Sequence, residues 1–160
     1  MSEEYGKHYS VMYRECLEAF ENSIEGENPI FADMTFGAGG HTFQMARLRE
    51  KAICYSVDQD PDAIKNGNAR ILEESLQDKV NLIYTNYESF PDWVEKNKSD
   101  LKFTGILMDL GVSSHQFDTF ERGFSFRSDA PLDMRMDYDN HEVETAADIL
   151  NNYEEEDIAN

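Results

Sequence analysis

Two aspartates and one glycine-rich turn are the groups in this 160-residue sequence whose types and spacing could do chemistry. The turn is Asp33-Met-Thr-Phe-Gly-Ala-Gly-Gly-His41, set between an apolar run and a helical pattern. Glycine admits positive φ and lets a ligand approach the backbone closely, so Gly39→Val should empty such a site and spare the fold. A glycine pair alone fits equally well a tight turn that binds nothing. Asp58, 18 residues after Gly40, tips the balance. An acid at the end of the next strand can accept both ribose hydroxyls of a nucleoside cofactor. The dinucleotide pattern G-x-G-x-x-G, counted from Gly37, reaches Thr42 where a third glycine belongs, which weakens NAD or FAD. S-adenosylmethionine needs no pyrophosphate cradle, and its carboxylate suits N–H groups at a helix start. His41 could add a hydrogen bond there, and a surface histidine is an equally good reading.

Asp109 stands at the end of a later apolar run. An acid there could accept a hydrogen bond from an exocyclic amine and localise its lone pair for attack on a sulfonium methyl. Much of the remaining catalysis would be in-line positioning. The alternative is an aspartate that caps the following turn. Further on, Phe124, Phe126, Arg122 and Arg127 could stack on and clamp a flipped or single-stranded base. Packing on the sheet edge is the better reading for at least two of that loop's four phenylalanines.

These groups need elements to hold them. Apolar runs at 29–36, 52–58, 80–86 and 103–111 read as strands, and helical patterns fill 8–23, 42–49, 61–76 and 90–97. Four strands joined by helical crossovers make an open doubly wound parallel sheet, with ligands outside the strands' carboxyl ends. Asp33 to His41, Asp58, Asn86 with Tyr87, and Asp109 fall at those ends. Residues 111–140 show no period, yet their aromatics argue against disorder. The tail, 144–160, reads as helical with Asn152 as an N-cap. It stops without a C-cap after only four strands, which points to the N-terminal part of a longer protein.

Hydrophobic residues at 40% exclude a disordered acidic tail. A chain this long can bury one core of ordinary size, so one domain is expected. No apolar run approaches a membrane span, the N-terminus lacks a secretory pattern, and Cys16 and Cys54 lack metal-ligand spacing. A reduced, cytoplasmic protein is expected. The formal charge is −19, concentrated in the two ends: residues 41–120 carry 9 bases and 13 acids, and the remainder 5 and 20. On charge alone nucleic acid is an unfavoured partner.

Taken together, DMTFGAGGHT, VDQDPDAI, DLGVSSHQFD, ERGFSFR and APLDMRMD closely resemble the RsmH (MraW) family, from His8 to the last residue and in order. These are bacterial S-adenosylmethionine-dependent methyltransferases of small-subunit ribosomal RNA. The resemblance implies a Rossmann-like class I α/β methyltransferase fold with an open, mostly parallel sheet. It also implies methylation of a cytidine N4 amine in the decoding region, with the 30S subunit as partner. Residues 1–140 would be the N-terminal part of the methyltransferase domain, and 141–160 the start of an inserted helical domain. Carried over by motif, cofactor contacts fall on Gly39, Gly40, His41, Asp58, Tyr87, Asp109 and Gln116, with Asp109 also the catalytic candidate. Tyr87 replaces a usual phenylalanine, His115 a usual proline, and Ala38 occupies a variable turn position. Family members run to about twice this length, and that additional half would supply a basic surface. A cofactor-binding fragment without activity is the chief rival, and an NAD-dependent dehydrogenase domain a weaker one.

Overall fold

A computed structural model describes residues 10–127 and 129–159. They divide into two compact units, Met1–Leu110 and Gly111–Asn160, where one domain was expected from length. The physical reason is where the apolar material went. Both clusters of buried hydrophobic side chains draw only on residues before position 108.

The first unit is a four-stranded parallel sheet in the order β3-β2-β1-β4, with β1 at Ile30–Asp33, β2 at Ile53–Asp58, β3 at Val80–Tyr84 and β4 at Gly105–Leu107. Helices α1 (Tyr13–Ser23), α2 (Gly40–Met45), α3 (Pro61–Glu73) and α4 (Phe90–Lys98) connect and cover it. Register places Phe31 beside Cys54 and Cys54 beside Val80, while Ala32 pairs with Tyr55. Alternate residues point to opposite faces. Phe31, Cys54 and Val80 therefore pack with Phe20, Phe43 and Ile71 on one side. Ala32, Tyr55 and Val57 pack with Phe90, Trp93 and Phe103 on the other. Burial on both faces is what a parallel sheet requires, and it explains why these strands read as continuous apolar runs.

Strand order reverses between β1 and β4, which makes their carboxyl ends the switch point of the sheet. This is the expected Rossmann-like arrangement. The apolar run over 103–111 yields a strand of only three residues, because β1 stops at Asp33 and, among the described residues, β4 has no strand partner beyond Leu107. Ile106 and Met108 are half exposed as a result. The helix expected from position 8 begins at Tyr13, and Met12 before it is left-handed. Positions 8 and 9 lie outside the described residues. Among the described residues no helix is long and apolar enough to cross a membrane.

The second unit organises the stretch that showed no period. Helix α5 (Ser114–Asp118) carries a full capping box: Gln116 N–H donates to Ser113 Oγ at 3.1 Å, and Ser113 N–H to Gln116 Oε1 at 2.9 Å. A short 3-10 turn, Phe120–Arg122, follows and ends on Gly123 at φ 76°. A Cβ on Gly123 would lie 2.6 Å from Pro131 O and 2.8 Å from Asp133 N, so only glycine lets these two backbones touch. Met134 N–H closes the contact on Arg122 O at 3.0 Å. The tail forms two helices, α6 (Ala146–Asn152) and α7 (Glu155–Ala159). Asn152 is thus the last residue of α6 and not an N-cap. Thr145 caps α6 through its own capping box with Asp148, which offers a better start four residues after His141.

Candidate functional site

Asp58 closes β2, and its carboxylate grips the glycine turn. Oδ2 accepts Gly37 N–H at 2.7 Å and Oδ1 accepts Asp60 N–H at 2.9 Å. Burial raises its pKa above the usual aspartate value, and these two N–H bonds oppose that shift. Each carboxylate oxygen has a second acceptor position, so Asp58 can hold the turn and still receive two hydroxyls.

The turn itself corrects the sequence argument for its glycines. Gly39 caps α2 at φ 79°, and a Cβ there would lie 2.7 Å from both the Phe36 and Phe43 rings. A Cβ on Gly40 would lie 2.1 Å from Ser10 Oγ. Two rings fill the space beside Gly39, so packing already demands glycine there, whereas beside Gly40 stands the end of the Ser10 side chain, which can turn aside. Gly37, at φ 54°, faces open space, with only Thr35 O within 4 Å among the described residues. It is the position where a ligand could come close to the backbone. Arg70 braces the turn from α3, donating to Ala38 O at 2.5 Å with its guanidinium 4.6 Å over the Phe43 ring.

His41 is buried, not a surface residue, and its Nε2 has no hydrogen-bond partner among the described residues. Nearby, Asp33 at the end of β1 is 1% exposed. It accepts Thr42 Oγ1–H at 2.7 Å and Thr35 N–H at 3.1 Å, and Thr42 Oγ1 is 2.7 Å from Ser56 Oγ. Burial pushes the Asp33 carboxyl up, while the bonds from Thr42 and Thr35 and the proximity of His41 pull it down. This network of Asp33, Thr35, Thr42 and Ser56 was missed as a unit in the sequence. Its signal is the threonines two and nine residues after Asp33.

A carboxyl whose pKa is raised on folding favours the native state fully below its unfolded value, and that contribution is lost as pH rises through the folded value. Each pH unit in the window where Asp33 keeps its extra proton costs about 1.4 kcal/mol of stability. Asp33→Asn removes that dependence. As pH rises above the ordinary aspartate range, the urea midpoint of the variant is expected to fall less steeply than that of the parent. Parallel midpoint curves would show that Asp33 does not carry the proton.

Asp109 lies two residues beyond β4 and is exposed, so it stands past the strand end and not on it. Its N–H donates to Thr35 Oγ1 at 2.8 Å. Tyr87 follows β3 and is 47% exposed. The first unit therefore carries Gly39, Gly40, His41, Asp58, Tyr87 and Asp109 at or just beyond the carboxyl ends of its strands. Gln116 belongs to the second unit, buried with its side-chain oxygen engaged in the cap of α5. The loop aromatics and arginines divide. Arg122 is buried, donates to Arg135 O at 3.2 Å and Met136 O at 2.8 Å, and lies 4.6 Å over the Tyr138 ring. It holds its own loop together and is unsuited to clamping a base. Phe126 is fully exposed, and Arg127 lies 5.5 Å over the Phe117 ring.

The sequence pattern of the MraW methylase family matches residues 5–160. The chain belongs to the MraW methylase family. The resemblance carried by the five motifs is thereby borne out. Among curated members it is 43% identical over 154 residues to ribosomal RNA small subunit methyltransferase H 2 of Agathobacter rectalis, covering 95% of this chain and 46% of that protein. It is 42% identical over 155 residues to ribosomal RNA small subunit methyltransferase H of Heliobacterium mobile, covering 94% and 46%. The chain thus spans about half the length of the curated relatives it matches. In fold it resembles a solved protein of Clostridium thermocellum provisionally designated an rRNA methylase, with a TM-score of 0.56 and 20% identity over 66% of this chain and 54% of that one.

Proposed function

We propose that the chain binds S-adenosylmethionine at the carboxyl ends of its strands and forms the cofactor-holding half of an enzyme that methylates the N4 amine of a cytidine in small-subunit ribosomal RNA. The observation that carries the reading is the Asp58 carboxylate, hydrogen-bonded to Gly37, the glycine of the turn that faces open space. Family membership narrows the cofactor and the reaction to methyl transfer. Asp58 would receive the ribose hydroxyls, and Gly37 would let the ligand lie against the turn. His41, a buried ring whose Nε2 has no partner among the described residues, and the start of α2 would face its amino-acid end. Tyr87 would lie by the adenine, and Gln116 is a cofactor contact that the family motif implies. The cofactor supplies an electrophilic sulfonium methyl. Asp109, exposed beyond β4, would accept a hydrogen bond from the target amine and turn its lone pair toward that methyl. Within the whole protein, 1–140 would belong to the methyltransferase domain and 141–160 would begin an inserted helical domain.

A second reading is favoured by the three-residue β4 and by the half-length match to relatives. In it the 160-residue chain binds the cofactor but transfers nothing by itself. Calorimetry with S-adenosylhomocysteine and with NAD tests the shared part of both readings. Binding of the first and not the second is expected, and a preference for NAD would overturn both. Methyl transfer from labelled cofactor to small ribosomal subunits separates them. Where transfer is seen, in this chain or a full-length relative, Asp109→Ala should abolish it and leave cofactor binding within about threefold, because its backbone N–H stays in place.

A further inference from the structure

We propose that Thr35 is a positioning residue: its hydroxyl, oriented by the buried Asp33 carboxyl, fixes the backbone of Asp109 beside the cofactor site. Main-chain pairing between β1 and β4 ends where Met34 N–H donates to Leu107 O at 2.9 Å. One step further, the role of the strand passes to a side chain, and Asp109 N–H donates to Thr35 Oγ1 at 2.8 Å. Among the described residues no other hydrogen bond holds residues 108–112. Met108, Asp109 and Leu110 are also exposed, so packing does not fix them. The orientation of Asp109 then rests on one bond.

Thr35 is suited to receive that bond because its own position is set from below. Its N–H donates to Asp33 Oδ1 at 3.1 Å, and its hydroxyl points to the same oxygen at 3.5 Å. A hydroxyl that donates to a carboxyl keeps its lone pairs for an incoming N–H, so the direction of the chain of bonds is fixed. The other Asp33 oxygen is held by Thr42, which meets Ser56 on β2. β1, β2 and the segment after β4 are thereby tied to one buried carboxyl, and the last link leads to Asp109. A group that must meet a reacting amine gains from being held to within a fraction of an ångström.

The inference rests on the cofactor reading above and is tested so that the two can fail separately. Thr35→Val keeps the shape and removes the hydroxyl, while Thr35→Ser keeps the hydroxyl. In the chain without ligand, the Asp109 amide should exchange with solvent about tenfold faster in Thr35→Val relative to the amides of β1, and near the parent rate in Thr35→Ser. Affinity for S-adenosylhomocysteine should fall about tenfold in Thr35→Val and be restored within about threefold in Thr35→Ser. In an Asp109→Ala background, Thr35→Val should cost the same amide protection, since the bond is to the backbone. Unchanged exchange at Asp109 in Thr35→Val overturns the tether. Faster exchange with unchanged affinity overturns the positioning role and leaves the cofactor reading intact. A parent chain that does not bind S-adenosylhomocysteine overturns the cofactor reading, and the positioning role with it.

Discussion

Gly39→Val is expected to destabilise the first unit by much of its total stability, and weakened cofactor binding will follow from that loss of structure. At φ 79° a β-branched side chain is strained, by about 1–2 kcal/mol on the general cost of left-handed backbone. The new Cβ also meets the Phe36 and Phe43 rings at 2.7 Å. Those rings pack edge to face, with centroids 5.8 Å apart, and both are core residues. Overpacking of that kind costs about 1–3 kcal/mol. Together these amount to about 2–5 kcal/mol, against a total stability that for a small unit is about 5 kcal/mol or more. Gly37→Ala makes the contrast. It keeps the strain of positive φ but has open space for its Cβ, so it should retain the fold and interfere chiefly with ligand. Circular dichroism and urea midpoints on both variants decide the matter. A Gly39→Val chain with the parent midpoint and no binding would mean that the turn serves the ligand alone.

Asp58→Ala is expected to weaken S-adenosylhomocysteine binding by about 100-fold or more. Two hydroxyls would lose a charged acceptor, at about 1.5–3 kcal/mol for each such bond. The two amides of Gly37 and Asp60 lose theirs as well, so the turn loosens around the ligand. The pH dependence has a definite sign. Burial raises the pKa of this carboxyl, so acidification protonates it earlier than an ordinary aspartate and affinity should drop as pH falls through that raised value. In Asp58→Ala that drop should be gone. Affinity within about twofold of the parent in calorimetry would remove Asp58 from the ribose.

Much of the fold was legible because parallel strands buried on both faces leave plain apolar runs, and Asp33 and Asp58 fall at strand ends as their positions suggest, with Tyr87 three residues past the end of β3. The strand over 103–111 was overread for a physical reason. Apolar character marks a residue that can be covered, and β4 is covered on one edge only, over three residues. Arg122 misled in the same way: an arginine among phenylalanines looks like a base clamp until its guanidinium is found on two carbonyls of its own loop. The glycines misled more subtly. Absence of a side chain says that something comes near, and at Gly39 and Gly40 that something is Phe36, Phe43 and Ser10. Thr35 was invisible as a tether because its partner, Asp109, is 74 residues away and contributes only a backbone N–H.

The close approach at Gly123 constrains how such a chain can change over generations. ERGFSFR and APLDMRMD look like two separate motifs on the page, yet the backbone of one rests on the backbone of the other, and the Arg122 side chain spans both. Ala146 and Ala147 add a third party, since their N–H groups donate to Asp133 O and Leu132 O. A recombination crossover falling between Gly123 and Pro131 would join halves adapted to different partners, and no side-chain adjustment can relieve a clash between two main chains. Descendants with new loops are therefore to be sought outside the span from Phe120 to Ala147, which is inherited as one piece or lost as one.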